Sequence, residues 1–184
     1  MNKFTEEKLE QAFIQLLGEQ EFPHVSGKNI QRKTNEVLLV DDIHAYLQSQ
    51  YSYANITESE IAQIIRKVES FPASDLYDSN KAFMKLLNNG FDFKREDPNE
   101  KDLWVYLIDY SEANNNIYKI VNQMEIDIFH LRIPDGILYI NGFPLVVFEF
   151  KSAIRENATV FDAYNQLTNR YQRDIPNLFV YNAF

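Results

Sequence analysis

The segment RIPDGILYINGFPLVVFEFKS, from Arg132 to Ser152, restricts the possible folds of this chain more than any other part of it. Two runs rich in Ile, Leu, Val, Tyr and Phe flank Asn141-Gly142. An Asn-Gly pair in that setting is the strongest local sign of a two-residue hairpin, because both central residues of the favoured turn need positive φ. Phe143-Pro144 directly after it can lengthen the connection. The nearly continuous apolar run VVFEFK predicts a strand buried in the middle of a sheet. Side chains alternate along a strand, so Glu149 and Lys151 point to one side while Phe148 and Phe150 point to the other. Antiparallel pairing across the turn then brings the start of the first strand, with Asp135, beside the end of the second.

Three charged groups converge in that arrangement. Two carboxylates and a lysine at the end of a strand pair suit Mg²⁺-assisted phosphodiester hydrolysis, with hard oxygen ligands for the ion and a cation to manage charge or position water. The competing reading is a surface ion pair between Glu149 and Lys151, since Asp and Glu-x-Lys at such a distance recur by chance. Context favours the first: an unpartnered carboxylate in a buried strand is costly, and a metal ion supplies the missing partner.

The remainder of the chain predicts an α/β (α+β) protein, a mixed sheet flanked by helices. Thr5 to Gly18 reads as an amphipathic helix with Thr5 as N-cap and Leu9, Phe13, Leu16 and Leu17 at helical spacing. From about 29 to 90 the pattern remains helical, including a Thr57–Glu60 capping box before IAQIIRKV and SNKAFMKLLNNG ending on glycine, and is taken as a helical insertion. The sheet core with its hairpin occupies about 101–184, where LWVYLIDY and IYKIVNQMEI read as further strands. Ser152 to about Arg173 turns helical again, and NLFVYNAF closes the chain as a strand-like run. We expect one domain over 1–184, as a piece of something longer. No stretch of about 18 apolar residues spans a bilayer and the opening residues are too charged for a secretory signal, so a cytoplasmic protein is expected. With no cysteine and only three histidines, thiolate chemistry and histidine-rich metal sites are excluded. The net charge of −9 predicts weak binding of DNA by this chain alone, because Lys and Arg contacts to phosphates supply most non-specific affinity.

The hairpin segment, with Pro134-Asp135 and Glu149-Phe150-Lys151 in the motif places, resembles the PD-(D/E)xK nuclease core of the restriction subunit of type I restriction-modification enzymes. TEEKLEQAFIQLL is similar to that family's first helix, NKAFMKLLNNGF to its helical approach to the sheet, and NIYKIVNQMEI to its strand bearing Asn122-Gln123. The resemblance implies a Mg²⁺-dependent endonuclease acting on double-stranded DNA, with Asp135, Glu149, Lys151 and Gln166 as catalytic residues. It implies Asp135, Glu149, Phe150 and Glu10 as the positions around the metal, Phe150 having only its main chain to offer. It also implies methyltransferase and specificity subunits as partners, and an ATP-driven motor elsewhere in the intact subunit. No Walker-type phosphate loop occurs here, so ATP is not expected to bind this chain. The alternative is a catalytically silent nuclease-like module for DNA sensing or subunit interaction.

Supporting residues have two readings each. Glu10 either reaches the metal site from the first helix or, with Glu6 and Glu7, favours the helix dipole. Arg132, Arg155, Arg170 and Arg173 either contact phosphates or form surface ion pairs. Asn122 and Gln123 are polar groups near the site or strand-edge hydrogen bonders. The family carries Gln-x-x-x-Tyr on the helix after the lysine strand, whereas here Gln166 is followed by Tyr171, one residue further on. At about 100° per residue that step turns Tyr171 away from Gln166 unless the helix bulges or ends between them.

Overall fold

The computed structural model describes residues 5–20, 22–151 and 160–183. The stretch 152–159, which includes Arg155 and the start of the helix expected after Lys151, lies outside the described residues. Helix α1 (Glu6–Glu19) begins at Thr5, whose hydroxyl accepts from the Lys8 N–H at 3.3 Å. Strand β1 (His24–Ser26) follows, and then three helices, α2 (Val40–Gln50), α3 (Glu58–Glu69) and α4 (Leu76–Asn89). The expected capping box is present: the Thr57 hydroxyl accepts from Glu60 N, and the Glu60 carboxylate accepts from Thr57 N. Gly90 ends α4 with φ 68°.

Next come a two-stranded ribbon, β2 (Phe91–Phe93) with β3 (Leu103–Val105), the strand β4 (Tyr118–Asn122), and a small ribbon of β5 (Ile126–Asp127) with β6 (Leu131–Arg132). The hairpin is β7 (Gly136–Ile140) and β8 (Phe143–Phe148). Helix α5 (Val160–Asn165) runs through a π-helical turn (Gln166–Tyr171) into α6 (Gln172–Asp174), and α7 (Pro176–Val180) follows. The main sheet has the order β1-β4-β7-β8, with β1 parallel to β4 and the other pairs antiparallel. This is the mixed sheet flanked by helices that the sequence predicts.

The Asn-Gly turn is a tight one. Asn141 and Gly142 have φ 50° and 82°, and β8 begins at Phe143, so Phe143-Pro144 adds nothing to the loop. The Asn141 side chain is fully buried and satisfied: its Oδ1 accepts from Ile117 N at 2.7 Å, and its Nδ2 donates to Leu107 O and Asn116 Oδ1. The Leu39 N–H donates to Gly142 O at 3.0 Å, at the start of α2. A Cβ on Gly142 would lie 2.3 Å from Leu39 O, so close backbone approach as well as positive φ demands glycine here. The turn therefore locks the sheet to the helical layer, and one apolar core runs through both. Ile43, Ile61, Ile64 and Phe83 from the helices share it with Val121, Ile137, Tyr139 and Phe143 from the sheet.

Two expectations are corrected. Strand β8 is not central: among the described residues it lies at the end of the sheet order. It is apolar because its faces are covered, for example by Phe83 packing on Phe143 at 5.4 Å, and an apolar pattern reports burial of faces, not pairing of edges. Its outward Leu145 carbonyl accepts from Ala183 N and Asn182 Nδ2. The run NLFVYNAF is not a strand either. Pro176 sits in the first turn of α7, which buries Leu178, Phe179 and Val180.

A buried ion pair braces the helical layer. Arg95, 4% exposed, grips Glu60, 1% exposed, through Nε at 2.8 Å and Nη2 at 3.0 Å, while the Glu96 N–H adds a third donor at 2.9 Å. These groups, the guanidinium first, hold the Glu60 carboxyl down at about 2 against the opposing effect of burial. A depressed carboxyl stabilises the fold above its unfolded value of about 4.3 and ceases to as pH falls toward 2. Glu60→Ala leaves Arg95 buried without a counter-charge and is expected to cost about 3–5 kcal/mol in urea unfolding at pH 7. A loss below about 1 kcal/mol would show the pair to be dispensable.

Candidate active site

One end of the sheet collects every charged residue singled out in the hairpin. Gly136 pairs with Phe148, so Asp135 and Glu149 each lie one step beyond the end of a paired strand. Asp135 Oδ2 accepts from the Phe150 N–H at 2.6 Å, which ties the two chain segments together. Lys151 Nζ donates to Glu149 Oε1 at 2.5 Å and to Phe150 O at 3.2 Å. The ion pair of the competing reading is therefore present, and it is largely enclosed, with the Glu149 side chain 3% exposed and that of Lys151 18%.

Helix α1 lies against this end of the sheet. Its Phe13 ring packs at 4.4 Å on Phe148 and 5.2 Å on Phe150, the two residues that flank Glu149. One turn earlier, Glu10 Oε1 accepts from Asn122 Nδ2 at 2.7 Å. Glu10 is thus held at the margin of the site without a direct bond to Asp135 or Glu149 among the described residues.

The π-helical turn settles the spacing between Gln166 and Tyr171. A π turn adds one residue to the helical repeat, so residues five apart come to the same face. Gln166 Nε2 donates to Tyr171 Oη at 2.9 Å, and Tyr171 Oη donates to Glu149 Oε2 at 3.0 Å. Gln166 therefore reaches the carboxylate through tyrosine. The contact between Tyr171 and Glu149 is absent from the sequence reading, and a regular helical repeat gives no sign of it. Arg132 and Arg173 both bond the buried Asp174, which they hold down at about 2, with Arg173 the larger influence. Both are thus in ion pairs with Asp174.

Electrostatically the site is short of positive charge. Burial pushes the Asp135 carboxyl up to about 6 against the Phe150 N–H that lowers it, and the negative charges of Glu149 and Glu10 add to the rise. Burial also raises the Tyr171 hydroxyl, with Glu149 adding to it, so tyrosine remains a donor. Among the described residues no three His, Asp or Glu side chains close on one point as ligands. Mg²⁺ keeps several waters and takes one or two protein carboxylates together with phosphate oxygens. The pair Asp135 and Glu149 fits such an ion.

The mixed sheet between helices, with its acidic strand ends, is a restriction-endonuclease-like α+β fold. The chain belongs to the type I restriction enzyme R protein N-terminal family, whose pattern matches residues 3–184. It is 37% identical over 130 residues to the type I restriction enzyme HindI endonuclease subunit of Haemophilus influenzae, covering 69% of this chain and 12% of that protein. It is 32% identical over 131 residues to a putative type I restriction enzyme endonuclease subunit, MjaIXP, of Methanocaldococcus jannaschii, covering 68% and 12%. A Staphylococcus saprophyticus type I endonuclease subunit, SsaAORF53P, is 23% identical over 151 residues, covering 80% and 15%. The chain thus spans only about an eighth of the length of the first two relatives. Among the described residues no helix is long and apolar enough to cross a membrane.

Proposed function

We propose that this domain cuts double-stranded DNA for a type I restriction enzyme, by Mg²⁺-dependent hydrolysis at Asp135, Glu149 and Lys151. The observation that carries the reading is the enclosure of two carboxylates and one lysine at a single sheet end, where Asp135 bonds the Phe150 N–H and Glu149 bonds Lys151. Asp135 and Glu149 would hold the ion, with the Phe150 main chain and Glu10 beside them. When bound, Mg²⁺ polarises the scissile phosphate and lowers the pKa of a coordinated water. Tyr171, backed by Gln166, fixes Glu149 Oε2 while Lys151 bonds Oε1, so the carboxylate is oriented where it would help Asp135 hold the ion. Lys151 orients the attacking water or neutralises charge on the phosphate as the new P–O bond forms and the bond to the leaving oxygen breaks.

Sequence recognition, methylation and ATP-driven translocation belong to specificity and methyltransferase subunits and to a motor in the rest of the subunit, working together in the cytoplasm. The charge of −9 gives this domain little hold on phosphates by itself, so its partners deliver the DNA.

A Mn²⁺ titration of the chain followed by electron paramagnetic resonance tests the metal reading. A saturable site is expected, weakened by Asp135→Asn, which retains an oxygen to accept from Phe150. A chain that takes up no Mn²⁺, or takes it up equally well after Asp135→Asn, overturns the reading.

A further inference from the structure

At the same end of the sheet, a line of hydrogen bonds runs inward from an exposed histidine to Glu10. His24 lies on β1 and Asn122 on the parallel neighbour β4, and His24 Nε2 meets Asn122 Oδ1 at 2.8 Å. Asn122 Nδ2 donates to Glu10 Oε1 at 2.7 Å. The direction of this line follows from its inner end. A carboxylate only accepts, so the amide must turn its nitrogen to Glu10 and its oxygen to His24, and His24 must donate from Nε2.

Gln123 adds a second donor. Adjacent residues of an extended strand point to opposite faces, yet Gln123 Nε2 also reaches Glu10 Oε1, at 3.5 Å. Its φ of 51° is what turns its amide round, a left-handed conformation that non-glycine residues seldom adopt and that clusters at functional sites. Two neighbouring amides converge on Oε1, and among the described residues no hydrogen bond is made to Oε2 of Glu10. Phe13, one turn along α1, clamps that helix on Phe148 and Phe150.

We infer that His24, Asn122 and Gln123 are positioning residues that aim Glu10 at the Asp135–Glu149 site, where its Oε2 would hold a water of a hydrated divalent cation. Phe13 also approaches Gly136, next to Asp135, so α1 holds Glu10 over the end of the sheet where Asp135 and Glu149 lie. This inference rests on the metal reading proposed above. The device resembles in kind the hydrogen-bonded outer residues that orient ligands in metal sites, whose loss typically weakens metal binding by 10–100-fold.

The test is Mn²⁺ affinity of the chain by electron paramagnetic resonance, with thermal melting run on each variant. Glu10→Ala and Asn122→Ala should each weaken Mn²⁺ roughly 10-fold or more, and the double variant should be no weaker than Glu10→Ala alone, since both act through one carboxylate. His24 is exposed, so its replacement leaves the fold intact whatever Asn122→Ala does. His24→Leu should weaken Mn²⁺ while His24→Gln, which retains an N–H for Asn122, should restore it. Unchanged affinity in Glu10→Ala or in His24→Leu, or additive losses in the double variant, overturns the relay. If Asp135→Asn weakens Mn²⁺ while these variants do not, the metal reading stands and the relay alone falls. If the unaltered chain takes no Mn²⁺, both fall.

Discussion

Replacing Glu149 with glutamine should slow DNA cleavage by the assembled enzyme by at least about three orders of magnitude, with ATP-driven translocation intact. The isosteric amide is the informative change. It retains the volume of a side chain only 3% exposed, and its oxygen can still accept from Tyr171 Oη, which now lies 3.0 Å from the carboxylate. What it removes is one negative charge in an enclosed site where water cannot replace it. Asp135→Asn should behave in the same way, since an amide oxygen can still accept from the Phe150 N–H. Unchanged melting would assign the loss to chemistry. Single-turnover cleavage of a supercoiled plasmid bearing the recognition site reads the effect, and a rate within tenfold of the unaltered enzyme would remove the residue from the mechanism.

Lys151→Ala separates a catalyst from a counter-ion. An exposed ion pair is worth a fraction of a kcal/mol, and its loss would leave cutting intact. Lys151 is not placed that way: its side chain is 18% exposed and its ammonium lies against Glu149 Oε1 and Phe150 O. If it orients water or stabilises charge on the phosphate, Lys151→Ala slows cleavage by roughly two to four orders of magnitude. Mn²⁺ binding should survive, because an ammonium is not a ligand. Lys151→Arg should recover only part of the rate, since a planar fork does not replace a compact cation in a crowded site. Near-normal cleavage by Lys151→Ala would sink the catalytic role.

The hairpin was legible because its signals are local. Asn141 and Gly142 need positive φ, and the alternation of Glu149 and Lys151 follows from strand geometry. Thr57 and Glu60 marked a helix start for the same reason. The place of β8 in the sheet was not legible, because hydrophobicity records what covers a strand and is silent on what pairs with it. The last run misled because NLFVY is short, and a short apolar run rich in aromatic and β-branched residues has no periodicity to separate strand from helix. In the site, Asp135, Glu149 and Lys151 could be found because they share one hairpin. His24 carried no signal: its partner Asn122 is distant in sequence, and only the parallel pairing of β1 with β4 unites them.

The wide turn between Gln166 and Tyr171 also bears on how sequences of this kind are to be compared. Two spacings can give one contact: four residues on a regular helix, or five where the helix opens into a π turn. A text pattern written for the shorter spacing would pass over this chain, although its tyrosine hydroxyl stands on Gln166 and Glu149 alike. An alignment that places a single-residue gap between positions 166 and 171 superposes the hydroxyl correctly, whereas an ungapped one sets Arg170 in its place and makes the site look incomplete.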